Sequence, residues 1–272
     1  MLAALTTALA LASSAVAAPT ASAEPGVAPP GAVALPDGPA QAWLVADLDS
    51  GRILASHDPN GQHPPASTIK PLLAMVVLDN LRPDNFARAN QSHTEVECSC
   101  VGLEPGQAYT TRQLLEALLM VSGNDAANML ADMLGGAPAT VAAMNRKAAM
   151  LGARSTRASS PSGLDGPGWE SITTPYDLAV IYRAALAYPL IAQIFQERSA
   201  QFPGKTITAQ NELLTRYPGA IAGKTGFTNL ARHTFVAAAQ RGNRRLVVVE
   251  MFGQGDLYGQ AIALFDWGFA QP

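Results

Sequence analysis

The sequence predicts an α+β fold in which an antiparallel sheet, formed by both ends of the chain, packs against an inserted all-helical lobe. Strand-like segments lie near both ends, and the long stretch between them has helical periodicity. This order cannot give a simple alternating βαβ sheet. We therefore expect one domain over residues 41–272, with a sheet lobe made of residues 41–66 and 205–272 and a helical lobe made of residues 67–204.

Four short apolar segments predict the strands, in two hairpins. The first hairpin has strands at residues 41–48 and 52–56, and its turn is Asp49-Ser50-Gly51. The second has strands at residues 234–239 and 246–252, joined by a turn at residues 241–244. Helical patterns fill most of the stretch between the hairpins, and a further one closes the chain: residues 67–81, 111–120, 125–134, 139–151, 175–187 and 257–269.

The composition indicates a globular protein without a nucleic-acid partner. Of the 272 residues, 48% are hydrophobic and 14% are charged, whereas charged residues make up about 25% of an average domain. The net charge is −3, and no basic run is longer than a pair such as Arg244-Arg245. A chain of this length buries a large core, and this charge distribution offers nucleic acid no electrostatic attraction.

The first 40 residues predict an exported protein. Residues 2–15 carry no charge, and small-residue cleavage patterns follow at residues 15–17 and 21–23. We interpret residues 1–23 as a signal peptide, although the usual basic segment is missing; a disordered Ala-rich tail is the alternative. The apolar stretch is too short and too weakly apolar for a stable membrane span. The Pro- and Ala-rich residues 24–40 predict a flexible linker.

The cysteines and histidines give no clear metal or catalytic signal. Cys98 and Cys100 are separated by one residue, so a disulfide would close a very tight ring. Two free thiols are the alternative, and a zinc site would need more ligands than the nearby His93. We expect no metal and no cofactor. All four histidines are interpreted as surface or half-buried residues: His57, His63, His93 and His233.

The segment Ser67-Thr68-Ile69-Lys70 begins a predicted apolar helix. Residues three apart lie on one helix face, so Ser67 Oγ and Lys70 Nζ can meet near the first turn. A serine hydroxyl needs a base to take its proton, and a buried lysine beside another cation can be that base because its pKa is lowered. The helix N-terminus favours negative charge beside the serine. Alone, such a tetrapeptide is more often a helix start with a surface lysine.

Two further polar segments could face the same cleft. Ser122-Gly123-Asn124 lies between two predicted helices, where it could project a hydroxyl and an amide; alone it is more often a turn that caps the next helix. Lys224-Thr225-Gly226 precedes Phe227 and the strand at residues 234–239. Its glycine lets a ligand backbone approach closely, and its lysine and threonine suit a carboxylate. Alone it is more often an ordinary strand start.

Together the three segments resemble the Ser-x-x-Lys, Ser-x-Asn and Lys-Thr-Gly set of penicillin-recognising serine enzymes. More narrowly, the chain resembles the low-molecular-mass D-alanyl-D-alanine carboxypeptidases, from about residue 41 to residue 269. Local likeness comes from residues 66–71, 121–128, 162–164, 173–178 and 223–228. The resemblance implies a serine-type carboxypeptidase that removes the terminal D-alanine of the peptidoglycan pentapeptide and is acylated by β-lactams, in the extracytoplasmic or cell-wall space or the periplasm.

The resemblance also implies catalytic roles. Ser67 would be the acyl-ester nucleophile, and Lys70 would be its general base. Ser122 would relay a proton to the leaving D-alanine nitrogen. The backbone N–H groups of Ser67 and Phe227 would form the oxyanion hole.

Four matched residues would bind the substrate. Asn124 would hold the peptide amide, and Lys224 with Thr225 would bind the terminal carboxylate. Lys224 would also keep Lys70 neutral through its positive charge, and Gly226 would admit the substrate backbone on the strand beside the cleft.

The chain departs from the usual carboxypeptidase pattern in two places. After Gly226 relatives commonly have an Ala-Gly pair before the next strand, whereas this chain has Ala231-Arg232-His233. Arg232 is either an additional carboxylate anchor or a solvent-facing residue. Many relatives also carry a second β-domain and an amphipathic C-terminal anchor. This chain stops at Pro272, after the closing helix, so we expect no stable membrane anchor at the C-terminus.

Two other functions stay open. A class A β-lactamase shares the fold and the motifs, but it needs a glutamate about a dozen residues before the segment that matches Thr173-Thr174-Pro175. Residues 159–164 contain no glutamate, and Glu170 lies three residues before Thr173, so we expect slow penicillin turnover. The other is a catalytically silent module that binds penicillin or muropeptides, against which the intact motifs argue. The sequence does not separate carboxypeptidase from endopeptidase or transpeptidase activity.

Overall fold

The computed structural model describes residues 34–272. The predicted signal peptide and most of the predicted linker lie outside the described residues. In chain order the elements are β1 (Ala40–Asp47), β2 (Ile53–His57), a 3₁₀ turn (Ala66–Ile69), α1 (Lys70–Asn80), β3 (Phe86–Arg88), α2 (Gln91–Thr94), β4 (Ala108–Thr110), α3 (Thr111–Met120), α4 (Asn124–Met133), α5 (Ala137–Leu151), α6 (Pro175–Ala185), α7 (Pro189–Gln196), β5 (Ser199–Phe202), β6 (Lys205–Thr208), α8 (Leu213–Arg216), β7 (Ala220–Thr228), β8 (Arg232–Arg241), β9 (Arg244–Gly253) and α9 (Leu257–Ala270).

One five-stranded antiparallel sheet combines the two ends of the domain. Its strand order is β2-β1-β9-β8-β7. Strand β1, at the start, pairs along its length with β9, near the end, so that Leu44 lies opposite Val249. The helices lie in the sequence between β2 and β7, apart from α9. The predicted α+β fold, with an inserted helical lobe, is therefore confirmed.

Both faces of this sheet are covered, which explains why its central strands are apolar on both sides. On one face, α9 packs against the sheet, with Phe265 in the same buried cluster as Val45 and Val248. On the other face, Val249 and Ile181 of α6 belong to the larger core that continues into the helical lobe. The helical lobe is thus joined to the sheet by a continuous apolar core.

The helical lobe surrounds α1, whose first eight residues are all buried. A helix that is apolar on all sides is stable only in such a position. The neighbouring helices begin and end with ordinary capping signals. Thr110 caps α3 in a reciprocal pair with Gln113, Thr174 caps α6, and Gly152 ends α5 in the left-handed conformation. The helices predicted at these places are confirmed.

Several elements were not predicted. Strand β7 contains two glycines and two alanines among the nine residues of Ala220–Thr228, and these small residues have weak strand propensity. Two small hairpins, β3-β4 and β5-β6, lie outside the main sheet, and α7 follows α6 after a sharp bend. Within residues 34–272 no single helix is long and apolar enough to span a membrane; α6 and α7 together have the length and composition, with a 104° bend between them.

Candidate active site

Ser67 lies in the 3₁₀ turn that leads into α1, close to the helix N-terminus, as predicted. Contacts from β8 and from the loop that contains Gly163 fix the position of this turn. The hydroxyl of Thr234, on β8, donates to the carbonyl oxygen of Pro65 at 2.9 Å. Ala66 has a φ of +48°, in the left-handed region, which is uncommon for a residue with a side chain. Such strain persists only where surrounding contacts impose it, and Gly163 supplies one by packing directly on the Ala66 carbonyl.

The Lys70 side chain connects the first two motifs. It is fully buried, and its Nζ lies 2.7 Å from Ser67 Oγ and 2.7 Å from Asn124 Oδ1. The same atom lies 2.8 Å from the Ser122 carbonyl oxygen and 3.2 Å from Ser122 Oγ. A neutral amine has two donors and one lone pair. Because the carbonyl of Ser122 and Oδ1 of Asn124 can only accept, they take the two donors, and the lone pair is left to accept from the Ser67 hydroxyl.

Electrostatics favour that neutral amine. Burial lowers the pKa of Lys70 well below its ordinary range, and the positive charge of Lys224 lowers it further. The negative charge of Asp125 acts in the opposite direction and raises the pKa of Lys70. Lys70 therefore has the geometry and the protonation state of a general base beside Ser67.

Ser122 and Asn124 lie in the break between α3 and α4. Ser122 is buried, with a φ of +62°. Asn124 is the first residue of α4, and its backbone N–H donates to the Ser99 carbonyl at 2.7 Å. Its side-chain Nδ2 donates to the Glu97 carbonyl, also at 2.7 Å. With Oδ1 used by Lys70, the amide keeps one N–H for a ligand.

The third motif lies on β7, an edge strand of the sheet. A Cβ atom on Gly226 would come within 2.8 Å of the Ser67 backbone nitrogen, so only glycine allows β7 to approach Ser67 this closely. Thr225, Gly226 and Phe227 line the cleft. Lys224 lies beneath them, 3% exposed, and its ammonium donates to the Thr225 carbonyl at 2.6 Å.

Burial lowers the pKa of Lys224 to about 7. The pair thus provides a neutral base next to Ser67 and a cation beneath Thr225 up to about neutral pH.

All three motifs open into one cleft of about 340 Å³. Sequence reasoning did not predict the other residues that line it. They are Glu97, Cys98, Ser99, Gly163, Leu164, Gln210, Thr228 and His233. The family resemblance includes Gly163, Leu164 and Thr228 but implies no role for them, and a glycine needed for a close approach carries no signal of its own in a single sequence.

Several residues singled out from the sequence have other settings. Cys98 and Cys100 are joined by a disulfide, the first of the alternatives. Arg232 is exposed, is not among the residues that line the cleft, and has a φ of +57°. His93 is buried and pairs with Asp132 at 3.1 Å, so the prediction of a surface or half-buried residue is wrong for His93. His233 is exposed, as predicted, and it also lines the cleft and packs on the Phe227 ring.

The fold and the Ser67-Lys70-Ser122 arrangement define a serine peptidase of the penicillin-recognising class. Comparison with known proteins narrows this class. The family model described as D-alanyl-D-alanine carboxypeptidase matches residues 30–254. The chain belongs to that family.

Three relatives illustrate the likeness. The D-alanyl-D-alanine carboxypeptidase DacB2 of Mycobacterium tuberculosis is 60% identical over 253 residues, which cover 90% of this chain and 87% of DacB2. A crystal structure of a D-alanyl-D-alanine carboxypeptidase from the same organism has a TM-score of 0.87 and 58% identity, covering 91% of this chain and 97% of that one. The Streptomyces K15 DD-transpeptidase has a TM-score of 0.83 and 27% identity, covering 88% of this chain and all of that one.

Other carboxypeptidase relatives are longer than the part they share with this chain. The matched region spans between 60% and 63% of their length.

Proposed function

We propose that this protein removes the terminal D-alanine from peptidoglycan stem pentapeptides through an acyl-enzyme on Ser67. The observation that carries the proposal is the Lys70 amine, whose lone pair points to the Ser67 hydroxyl because its two donors are used elsewhere. The family membership of the chain supports the same reaction.

In the proposed first step Ser67 Oγ attacks the carbonyl carbon of the penultimate D-alanine, and its proton passes to Lys70. The tetrahedral oxyanion is bound by the backbone N–H groups of Ser67 and Phe227. The close approach of Gly226 to the Ser67 backbone supports this pairing. The C–N bond then breaks, and Ser122 passes the proton from Lys70 to the leaving nitrogen, since Ser122 Oγ lies 3.2 Å from Lys70 Nζ.

In the second step a water molecule attacks the ester carbonyl, Lys70 takes the water proton, and the shortened peptide leaves as Ser67 regains its hydrogen. Asn124 binds the peptide amide through its remaining N–H. Thr225 binds the terminal carboxylate at the cleft surface, and the buried charge of Lys224 attracts that carboxylate from below. Gly226 leaves room for the substrate backbone.

The substrate and the setting complete the proposal. A pentapeptide ending in D-Ala-D-Ala is the substrate class of a D-alanyl-D-alanine carboxypeptidase, and β-lactams acylate the same serine as covalent inhibitors. Peptidoglycan is assembled outside the cytoplasmic membrane, so the protein acts in the extracytoplasmic space after export. The apolar N-terminal segment described from the sequence supports this route.

The decisive test is Ser67→Ala, with Ser92→Ala on the exposed helix α2 as the matched control. Purified variants are assayed for release of free D-alanine from a D-Ala-D-Ala pentapeptide and for covalent labelling by a fluorescent penicillin. We expect Ser67→Ala to lose both signals and to keep the thermal unfolding of the wild type, while Ser92→Ala keeps both signals. Labelling at another residue of Ser67→Ala would show that the nucleophile is assigned wrongly.

The same labelling experiment separates the alternatives. A carboxypeptidase forms a long-lived penicilloyl ester, whereas a β-lactamase regenerates free enzyme quickly. The backbone carbonyl of Glu170 accepts from Arg157, and Glu170 is not among the residues that line the cleft, so we expect the long-lived ester. A stable ester without any D-alanine release would instead indicate a silent binding module.

A further inference from the structure

One side of the cleft is formed by a segment that contains none of the three motifs. Residues 97–103, which we call the cleft wall, contribute Glu97, Cys98 and Ser99 to the cleft lining. Two carbonyl oxygens of the wall, those of Glu97 and Ser99, accept both hydrogen bonds that Asn124 donates to protein groups. The position of the Asn124 amide therefore depends on the position of this wall.

The wall is held by the carboxylate of Asp125, the residue after Asn124. Asp125 is buried, with 1% of its surface exposed. Its Oδ1 accepts from the backbone N–H of Val101 at 3.0 Å, and its Oδ2 accepts from those of Gly102 at 2.8 Å and Leu103 at 3.0 Å. A fourth N–H, that of Ala126, donates to Oδ1 at 2.9 Å. Four N–H donors, together with the position of Asp125 in the first turn of α4, stabilise a buried negative charge.

Other contacts hold the wall less directly. Lys205 Nζ donates to the Val101 carbonyl, Ser99 Oγ donates to the Val121 carbonyl at 3.3 Å, and the disulfide closes the ring from Cys98 to Cys100. Each of these fixes a single point of the wall. The Asp125 carboxylate binds three consecutive N–H groups, and because it is adjacent to Asn124 it fixes the wall relative to the amide itself.

The negative charge of Asp125 also acts on the catalytic lysine. The charges that affect Lys70 are those of Lys224, which lowers its pKa, and Asp125, which raises it. Burial raises the pKa of Tyr109, on β4, and the negative charges of Glu104 and Asp125 raise it further. Within residues 34–272, contacts or charge interactions connect five titratable groups to Asp125, to the cleft wall or to Lys70 itself, and these are Lys70, Lys224, Tyr109, Lys205 and Glu104.

We propose that Asp125 is a positioning residue of the reaction: it fixes the cleft wall against Asn124, and its charge opposes that of Lys224 at Lys70. The proposal rests on the proposed role of Lys70 as the base. It adds to that role a residue that touches no substrate. Two separate effects follow, one on the maximal rate of acylation and one on the pH at which acylation begins.

The test is Asp125→Asn, measured as the rate of penicillin acylation of Ser67 against pH. The maximal rate should fall about 10- to 100-fold, because the wall loses its anchor and Asn124 is displaced. The rising limb should move to lower pH by about 1 unit, because a neutral residue no longer helps Lys70 keep its proton. A purely structural role would lower the rate without moving the limb.

Asp177→Asn is the matched control. Asp177 is also buried in the first turn of a helix, and its Oδ2 accepts from the Ser155 N–H at 2.7 Å and the Thr156 hydroxyl at 2.9 Å. Its loss should lower thermal stability and leave the midpoint of the rising limb in place. Asp125→Glu, which keeps the charge but lengthens the side chain, should lower the rate with the midpoint close to that of the wild type.

Each outcome of these experiments either supports or overturns the proposed role of Asp125. An unshifted limb in folded Asp125→Asn, or an equal shift in Asp177→Asn, overturns the proposal. Asp125→Ser is the second neutral variant if Asp125→Asn does not unfold cooperatively; if both fail to fold while Asp177→Asn folds, Asp125 is a stability residue and the proposal is rejected. Failure of the proposed function is distinguishable, because the wild type itself would then show no labelling or no rising limb.

Discussion

Gly163 packs against the carbonyl oxygen of Ala66 so closely that no Cβ atom fits between them. Ala66, with its left-handed backbone, immediately precedes the nucleophile. The loop that contains Gly163 therefore sets the entry of the chain into the 3₁₀ turn, and through it the direction of the Ser67 hydroxyl.

This contact predicts that Gly163→Ala harms the site. The new methyl group must push the Ala66 carbonyl away, and Gly163 has a φ of +85°, so we expect a loss of about 1–3 kcal/mol in the free energy of unfolding. Acylation by penicillin should slow by about 10- to 100-fold as Ser67 is displaced. Gly168→Ala is the control, with a similar φ of +82° and open space around it; equal acylation rates in the two variants would contradict the prediction.

The buried lysine pair predicts a bell-shaped pH dependence of kcat/KM for D-alanine release. The rising limb reports Lys70, and the falling limb, near pH 7, reports Lys224 as it loses its charge. Lys224→Ala should shift the rising limb to higher pH, because the lost positive charge no longer lowers the pKa of Lys70. The falling limb should disappear. The lost carboxylate contact should also reduce kcat/KM by about 10- to 150-fold.

Lys147→Ala is the control for this experiment, because Lys147 pairs with Asp79 away from the cleft. Both limbs should stay in place in that variant. A Lys224→Ala enzyme with normal kcat/KM and an unshifted rising limb would show that Lys224 neither attracts the substrate carboxylate nor lowers the pKa of Lys70.

The left-handed residue at Arg232 predicts a stabilising substitution. The hairpin between β7 and β8 places residue 232 at a φ of +57°, a conformation that glycine adopts without strain. Arg232→Gly should raise the free energy of unfolding by about 0.5–1 kcal/mol in urea titrations. Arg232→Ala, which keeps a Cβ atom, should not.

The same variant decides between the two interpretations of Arg232. Because Arg232 is exposed and outside the cleft lining, Arg232→Gly should keep the kcat/KM of the wild type. A clear rise in KM would instead identify Arg232 as a carboxylate anchor.

Because the carboxyl group of Glu250 is buried, we expect the free energy of unfolding to depend on pH. Glu250 is fully buried on β9, and neither carboxylate oxygen has a hydrogen-bond partner among residues 34–272. Burial, with a smaller contribution from the charge of Asp256, raises its pKa well above 4.5 in the folded protein. The folded state therefore keeps a proton that the unfolded state loses above about pH 4.5, and stability falls as the pH rises from that value towards the folded pKa.

Glu250→Gln removes this titration while keeping the shape of the side chain. At pH 7 the variant should be more stable than the wild type by at least about 1 kcal/mol, and the difference should disappear near pH 4. Thermal unfolding at a series of pH values measures both. Asp266→Asn, at an exposed carboxylate on α9, is the control for a general effect of charge, and a pH-independent gain in Glu250→Gln would contradict the explanation.

The sequence predicted the three motifs well because each one carries its own chemistry and lies at a helix start, a helix break or a strand. Their geometry is local, as for Ser67 and Lys70 on one turn, or follows from the fold. Strand β7 was not among the four strands predicted from the apolar pattern, because small residues dominate it; only the Lys224-Thr225-Gly226 motif indicated a strand there. The anchoring of the cleft wall by Asp125 could not be predicted, since an acidic residue in the first turn of a helix is explained equally well by the helix dipole.

The left-handed backbone conformations of Ala66, Ser122 and Arg232 could not be predicted from the sequence either. A left-handed φ at a residue with a side chain is imposed by distant contacts, such as that of Gly163 with Ala66, and these contacts exist only in the folded protein. The disulfide stayed one of three alternatives because the spacing of Cys98 and Cys100 is equally compatible with free thiols.

The pairing of β1 with β9 constrains the order in which the molecule can form. Residues about 200 positions apart must meet before the central sheet closes, and contacts of such long range make folding slow. A chain synthesised from its N-terminus presents the β1-β2 hairpin long before its partner strand β9 is made, with an apolar edge open to aggregation. Ser67 likewise precedes Lys224 by most of the domain, so a working active site is among the last parts of the molecule to assemble.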